Sequence, residues 1–172
     1  AGGKLFVMST SKLIEDTAKL QGAPPVLGRE VNQLRLVSDA DRQFTLLMRP
    51  SYLFGDGLPL FAGDFQRARD PLEWFIGDDV KAIMLSMQFD QQFYAEIGMV
   101  ADLQRRSALP QELKDRIEQI PNLIERYIVS LNPPEYWRTI AFRYPSMVRY
   151  LHGNTRVGLE GEVAMVNMIA PG

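Results

Sequence analysis

Alternating apolar and polar residues predict β-strands in the middle of the chain. The alternation is clearest over residues 83–89 and again over residues 93–99, and Asp90-Gln91-Gln92 separates the two runs. That spacing is typical of a hairpin, so we expect an antiparallel pair of strands. Residues 44–48 alternate in the same way, and an apolar run at residues 4–8 predicts a buried strand near the start of the chain.

The end of the chain returns to this alternation. Residues 156–163 alternate, and residues 165–170 are mostly apolar. We expect one or two strands there, with Gly161 at a bulge or a turn. A terminal helix over residues 161–169 is the alternative prediction for the same segment.

Apolar residues spaced three and four apart predict helices. Two shorter helices are expected from about residue 11 to Gly22 and over residues 29–37. The strongest helical pattern begins at Pro110 and keeps its phase through Pro121 as far as Leu131. It predicts either one kinked helix or two abutting helices that cover the same surface.

A further apolar stripe with helical spacing covers about residues 135–151 and also contains a proline, Pro145. Trp137, Tyr144 and Val148 belong to this stripe. We expect them to face the core, because the apolar stripe of an amphipathic helix packs against the rest of the protein.

The order of these elements predicts an α+β fold. The order is β-α-α-β, an irregular apolar segment, and then β-β-α-α-β, which favours a mixed, mainly antiparallel sheet with helices packed on one face. A chain of 172 residues can bury a substantial core. We expect residues 1–172 to form a single domain and to be a fragment of a larger protein.

Residues 51–79 interrupt the regular pattern but are rich in aromatic and apolar side chains. We expect an irregular insert with one helix near residues 65–75. Such a segment either packs as a satellite of the core, which is the commoner case, or presents its side chains to a partner. The candidate binding residues are Tyr52, Leu53, Phe54, Leu58 and Phe61.

Composition and charge exclude several kinds of site. With 19 basic and 21 acidic residues the net charge is -2, so no global field would recruit nucleic acid or an anionic membrane. There is no cysteine, which excludes disulfides, thiolate metal sites and thiol nucleophiles. The single histidine, His152, excludes a multi-histidine metal site, and its position at a predicted helix end is explained by favourable contact with helix carbonyls.

No apolar stretch approaches the roughly 20 residues needed to span a bilayer, so we expect a soluble domain. The sequence does not specify a cellular compartment. We expect no cofactor.

Arginine and aromatic residues alternate near the end of the chain, an arrangement that can hold single-stranded nucleic acid. We nevertheless expect no nucleic-acid binding, because the net charge is nearly neutral and the aromatic residues are predicted to lie in the core. The residues concerned are Arg138, Arg143, Arg149 and Arg156 with Tyr136, Trp137, Tyr144 and Tyr150.

Acidic residues in glycine-containing turns define an alternative site. Gly77-Asp78-Asp79 resembles the aspartate pair with which palm-type polymerases hold two magnesium ions. Such a site needs a further aspartate on a neighbouring strand, and residues 5–8 and 44–48 contain no acidic residue. Asp56 occupies a similar turn, and ordinary turn chemistry explains both segments.

The sequence therefore favours a non-catalytic structural or protein-interaction module of a larger protein, with residues 51–65 as the leading contact surface. Its partner would be another protein or another domain of the same chain. The alternative is an enzyme of unknown class with an acidic, metal-binding cleft near Asp56, Asp78 and Asp79.

Overall fold

The computed structural model describes residues 11–19, 21, 27–130 and 132–171. The strand predicted at residues 4–8 lies outside these ranges. The helices are α1 (Ser11–Lys19), α2 (Arg29–Val37), α3 (Pro50–Leu53), α4 (Gln66–Ile76), α5 (Leu109–Ser130), α6 (Glu135–Ala141) and α7 (Arg143–Gly153). The strands are β1 (Phe44–Met48), β2 (Val80–Phe89), β3 (Gln92–Ala101), β4 (Thr155–Glu160) and β5 (Val163–Pro171).

The described strands form one five-stranded sheet in the order β1-β2-β3-β5-β4. Every neighbouring pair in it is antiparallel. The predicted α+β class is thereby confirmed, as is the hairpin that joins β2 and β3. The end of the chain forms the two strands β4 and β5, and the alternative terminal helix does not form.

Apolar side chains cover both faces of the central strands. On one face Ile83, Met99 and Val166 pack against α4 and α5. On the other face Met84 and Met165 pack with other core residues against α2. Helices therefore lie on both faces, which corrects the expectation of a layer on one face only. The cause is the near-continuous apolar composition of these strands, because a strand that is apolar at both alternating positions needs cover on both sides.

The segment predicted to be irregular is largely helical. It contains α3, two 3₁₀ turns at Leu58–Phe61 and Gly63–Phe65, and α4, which confirms the helix expected near residues 65–75. Local backbone hydrogen bonds hold it, among them the bond from Gly57 N to Tyr52 O at 2.7 Å. Short helical turns leave too few residues to establish a period, so the sequence pattern did not reveal them.

The two proline-containing patterns have different outcomes. α5 is one helix with Pro121 inside it, whereas residues 135–151 form two helices that separate at Phe142. Trp137 and Tyr144 are exposed, so the prediction that they face the core is wrong. The break at Phe142 ends the continuous helix on which that prediction depended, and α7 instead packs against α5.

Among the residues that the structure describes, no helix combines the length and the apolar character needed to cross a membrane.

Leu34→Ala tests the packing of α2 on the sheet. Leu34 is 0% exposed, and removal of its buried side chain should lower the free energy of unfolding by about 2–5 kcal/mol. Urea denaturation measures this change. Leu36→Ala removes the same atoms from an exposed position of the same helix, and it should change stability by no more than about 0.5 kcal/mol. Equal losses in the two variants would contradict the packing described for α2.

Candidate functional site

A groove of about 1210 Å³ lies between α4 and the second half of α5. Its walls are mostly apolar. The apolar residues that line it from α4 are Ala68, Pro71, Leu72, Trp74 and Phe75. Those from α5 are Ile120, Leu123, Ile124 and Tyr127.

The α5 wall is a second apolar stripe on a helix whose first stripe is already buried. Leu113 and Ile117 belong to the core beneath the helix. Leu123 and Tyr127 lie on the groove side and remain 36% and 49% exposed. Ile120, Leu123 and Tyr127 are spaced by three and four residues, so their side chains form a ridge along one side of α5. This half of the helix therefore has an apolar surface that the described part of the structure leaves uncovered.

The α4 wall combines an exposed indole with polar groups. Trp74 is 39% exposed, and Arg67 and Asp70 line the same groove. Pro71 lies inside the helix and has no N–H, so the carbonyl oxygen of Arg67 lacks its usual helical donor. The groove thus offers an apolar floor with a few polar groups, a combination that is typical of binding sites.

Sequence reasoning assigned the α5 stripe to the core and missed the groove. The signal was the pairing of adjacent apolar residues at Leu123-Ile124 and Tyr127-Ile128. A single buried stripe requires apolar residues only at intervals of three and four. Adjacent apolar residues widen the apolar surface of the helix beyond that single face. Ile128 is buried and Tyr127 is half exposed, as that widening predicts.

The five predicted binding residues divide into two groups. Leu53 is buried, and Phe54 and Phe61 pack against the same core with their rings stacked at a centroid distance of 6.0 Å. Tyr52 and Leu58 are exposed. The segment therefore resembles a satellite of the core from which two side chains project into solvent.

The acidic residues of the alternative site are used separately. Asp79 accepts a hydrogen bond from Arg105 Nε at 3.0 Å, while Asp78 and Asp56 are exposed. Among the described residues no three side chains of His, Cys, Asp or Glu lie close enough to hold a metal ion. The geometry gives the metal-binding hypothesis no support.

Gly77 connects α4 to β2 in a conformation that only glycine adopts readily, with φ 80° and ψ 158°. Arg116 of α5 donates from Nη1 to the carbonyl oxygens of Phe75 and Ile76, each at 3.0 Å. These are carbonyls at the end of α4, where a cation is favourable. The Gly-Asp-Asp segment thus follows a helix end that Arg116 stabilises. Asp79 in the same segment accepts a hydrogen bond from Arg105.

A polar row crosses all five strands on the α2 face. Aligned residues of the register are Thr45, Ser86, Glu96, Asn167 and Arg156. The hydroxyl oxygens of Thr45 and Ser86 lie 3.1 Å apart. Glu96 is only 7% exposed, and a charged residue inside an apolar strand was the signal in the sequence that could have indicated this row.

Tyr94 holds the Glu96 carboxylate in place. Its hydroxyl donates to Glu96 Oε2 at 2.5 Å and lies 3.2 Å from Asn167 Oδ1. Arg42 lies over the Tyr94 ring at 4.1 Å from the centroid. Burial, the hydrogen bond to Glu96 and the negative charge of that carboxylate raise the pKa of Tyr94 to about 12, while Arg42 acts in the opposite direction.

The arginine and aromatic residues near the end of the chain are exposed together, so burial of the aromatic rings no longer argues against nucleic-acid binding. Two of the arginines are already engaged. Arg149 forms an ion pair with Glu125, and Arg138 donates to Pro133 O and Asn132 Oδ1. His152 lies in the last turn of α7, as predicted.

Comparison with protein-family models, with curated proteins and with solved structures found no match.

Gly77→Ala tests the structural role of the Gly-Asp-Asp segment. A Cβ at this position would lie 2.8 Å from Arg116 Nη1 and would force a positive φ on alanine, so we expect a loss of about 1–3 kcal/mol in the free energy of unfolding. Gly153→Ala is the control, because a Cβ there meets nothing within 4 Å. Chemical denaturation of both variants provides the comparison. Equal stability of the two variants would refute the proposed role of Gly77.

Tyr94→Phe tests the raised pKa of the hydroxyl. The pKa of Tyr94 is about 12 in the folded protein and 10.0 when unperturbed, so its contribution to stability is fully present below pH 10 and is lost as the pH rises from 10 to 12. Wild type should therefore lose its stability advantage over Tyr94→Phe in that window. Urea denaturation across the pH series measures the difference, with exposed Tyr136→Phe as control. A constant difference between wild type and Tyr94→Phe would contradict the raised pKa.

Proposed function

We propose that this domain is a non-catalytic protein-interaction module that binds an amphipathic helix in the groove between α4 and α5. The helix belongs to another protein or to another domain of the parent protein. The supporting observation is the apolar groove itself, with Trp74 and Tyr127 partly exposed in its walls. An apolar surface of this kind is unfavourable in water and is typical of interaction sites.

A helix is the partner structure that best matches the walls. The α5 ridge formed by Ile120, Leu123 and Tyr127 has the spacing that packs into the grooves of another helix. Binding of an amphipathic helix between two helices is a common mode of peptide recognition. Trp and Tyr are enriched among the residues that contribute most to binding energy, which favours Trp74 and Tyr127 as the main contacts.

The polar residues of the groove favour recognition by shape. Arg67 and Asp70 carry opposite charges on the same wall, so neither sign dominates the approach to the groove. The carbonyl oxygen of Arg67 can accept a hydrogen bond from a polar side chain of the bound helix. Specificity would then come from the fit of apolar side chains and from a few oriented polar contacts.

Exposed aromatic and apolar side chains on neighbouring helices extend the candidate contact surface. α7 packs against α5 and exposes Tyr144 and Met147, and α6 exposes Trp137. The surface first predicted from the sequence is smaller, because only Tyr52 and Leu58 of its five residues are exposed. We therefore assign the principal contact to the groove.

A photo-crosslinking residue in place of Leu123 tests this function. In the cells from which the sequence comes, we expect it to capture one specific partner, since the side chain at this position lines the groove. Lys114 is the control position, because a separation of nine residues places it about 180° around α5 from Leu123. Mass spectrometry identifies the captured protein, and calorimetry with the purified partner measures its affinity.

Leu123→Glu should weaken binding of the purified partner by about tenfold or more. Lys114→Glu introduces the same side chain at an exposed position of α5 and should leave the affinity unchanged. Equal capture at positions 114 and 123, capture of no protein, or equal affinity of the two glutamate variants would each overturn the proposed function.

A further inference from the structure

The outer edge of β4 is a second surface that the described part of the fold leaves unpaired. β4 lies at the end of the strand order and pairs with β5 alone. An unpaired strand edge presents free N–H and C=O groups to a further strand. Leu159 of β4 is 54% exposed, so apolar side-chain surface accompanies this free backbone.

The hairpin fixes which backbone groups of β4 point outward. Gly161 and Glu162 form a two-residue loop between the paired residues Glu160 and Val163. In such a hairpin the residues that flank the loop exchange hydrogen bonds, and the direction of the backbone groups then alternates along the strand. The carbonyl oxygen of Asn154 accepts a hydrogen bond from Ile169 N at 3.3 Å, which agrees with this alternation.

The even-numbered residues of β4 therefore direct their backbone groups toward β5, and the odd-numbered ones direct them outward. Val157 and Leu159 are the central outward pair. An added antiparallel strand must form its hydrogen bonds with these residues.

We infer that β4 pairs with β4 of a second copy of this chain, antiparallel and centred on Gly158, to form a ten-stranded sheet across a twofold axis. In this register Val157 lies opposite Leu159 of the second copy, so two outward-pointing residues exchange hydrogen bonds. Arg156 then lies opposite Glu160 of the second copy. The pairing is self-complementary, as a twofold interface requires.

Charge complementarity selects this register. Arg156 and Glu160 are exposed and equally distant from Gly158, and four residues of strand separate them by about 13 Å within one chain. They are therefore too far apart to pair with each other. Across the axis they occupy directly opposed positions of the closer, non-hydrogen-bonded type, where opposite charges stabilise a sheet.

Protection of the edge is the alternative role of such charges, since natural edge strands often carry charged residues that prevent pairing. Charges of one sign would repel a second copy of the strand in every register. Opposite charges placed symmetrically about Gly158 instead attract in one register. β1, the other edge of the described sheet, carries no charge between Phe44 and Met48, so of these two edges β4 alone has its pairing specified in this way.

Charge reversal at β4 tests the dimer. Wild type should self-associate to a dimer in sedimentation equilibrium over a concentration series. Arg156→Glu and Glu160→Arg should each weaken self-association by about tenfold, because each places two pairs of like charges across the axis. An equimolar mixture of the two single variants should restore association as a heterodimer, since every opposed pair is then of opposite sign. The double variant that carries both substitutions should again self-associate as a homodimer.

Hydrogen exchange identifies the surface. The amides of Val157 and Leu159 should become protected as the concentration of wild type rises, and they should stay unprotected in each single variant. Circular dichroism should be unchanged, because both substituted side chains are exposed. Unfolding midpoints should agree at concentrations low enough to keep wild type monomeric, since association stabilises the folded protein at higher ones. A wild type that stays monomeric, single variants that associate as wild type does, or a mixture that fails to restore association would each overturn the inference. These outcomes are independent of whether the groove binds a helix.

Discussion

Burial of apolar side chains on both faces of β2, β3 and β5 is the constraint on which the rest of the structure depends. Residues 82–84, 99–101 and 163–166 are buried at both alternating positions. A sheet with this composition requires cover on both sides. α5 with its neighbours covers one face, and the short α2 covers the other. One candidate surface, the groove, lies between two helices of this cover, α4 and α5, and the other lies where the sheet ends.

The length of α2 explains why the α2 face changes from apolar to polar. Leu34 packs with Met84 and Met165, and Leu34 Cδ2 would lie 3.1 Å from a Cβ placed on Gly98. The next row along the strands on the same face contains Ser86 and Glu96. The polar side chains of this row form hydrogen bonds with one another, so their donors and acceptors are satisfied although α2 does not cover them. The row has the hydrogen bonds of a structural network, and its carboxylate is already paired with Tyr94.

The sequence predicted those parts of the fold in which apolar residues keep a regular spacing over many residues. The β2–β3 hairpin, the terminal strands and α5 each follow one periodicity over many residues, and all three are confirmed. The helix expected near residues 65–75 forms as α4. The segments at 51–65 and 135–151 were misjudged because their helices are short or change direction. Trp137 has the spacing of a core residue, yet the helix that carries it ends at Ala141, and only tertiary structure determines which side of so short a helix is buried.

The candidate site was less predictable than the fold for a related reason. A stripe of apolar residues indicates that one face of a helix is shielded from water. It does not distinguish burial within the domain from burial against a partner. Ile117 and Tyr127 belong to the same predicted stripe, and only the packing separates the buried residue from the half-exposed one. The prediction of an interaction surface was made for residues 51–65, whose aromatic density was conspicuous. On α5 the groove uses Ile120, Ile124 and Tyr127, which the helical pattern had assigned to the core surface.

The groove and the β4 edge use different chemistry and share no residue. The groove relies on side chains of α4 and α5, whereas the edge relies on backbone groups of β4 and on Arg156 and Glu160. Pairing of two copies would therefore present two grooves on one continuous sheet. A partner with two helical segments would bind the second groove at an effective concentration set by the linker between those segments, so its avidity could exceed the affinity of either site alone. Weak binding at each groove would then suffice for stable assembly, and loss of β4 pairing would lower the apparent affinity without any change in the groove.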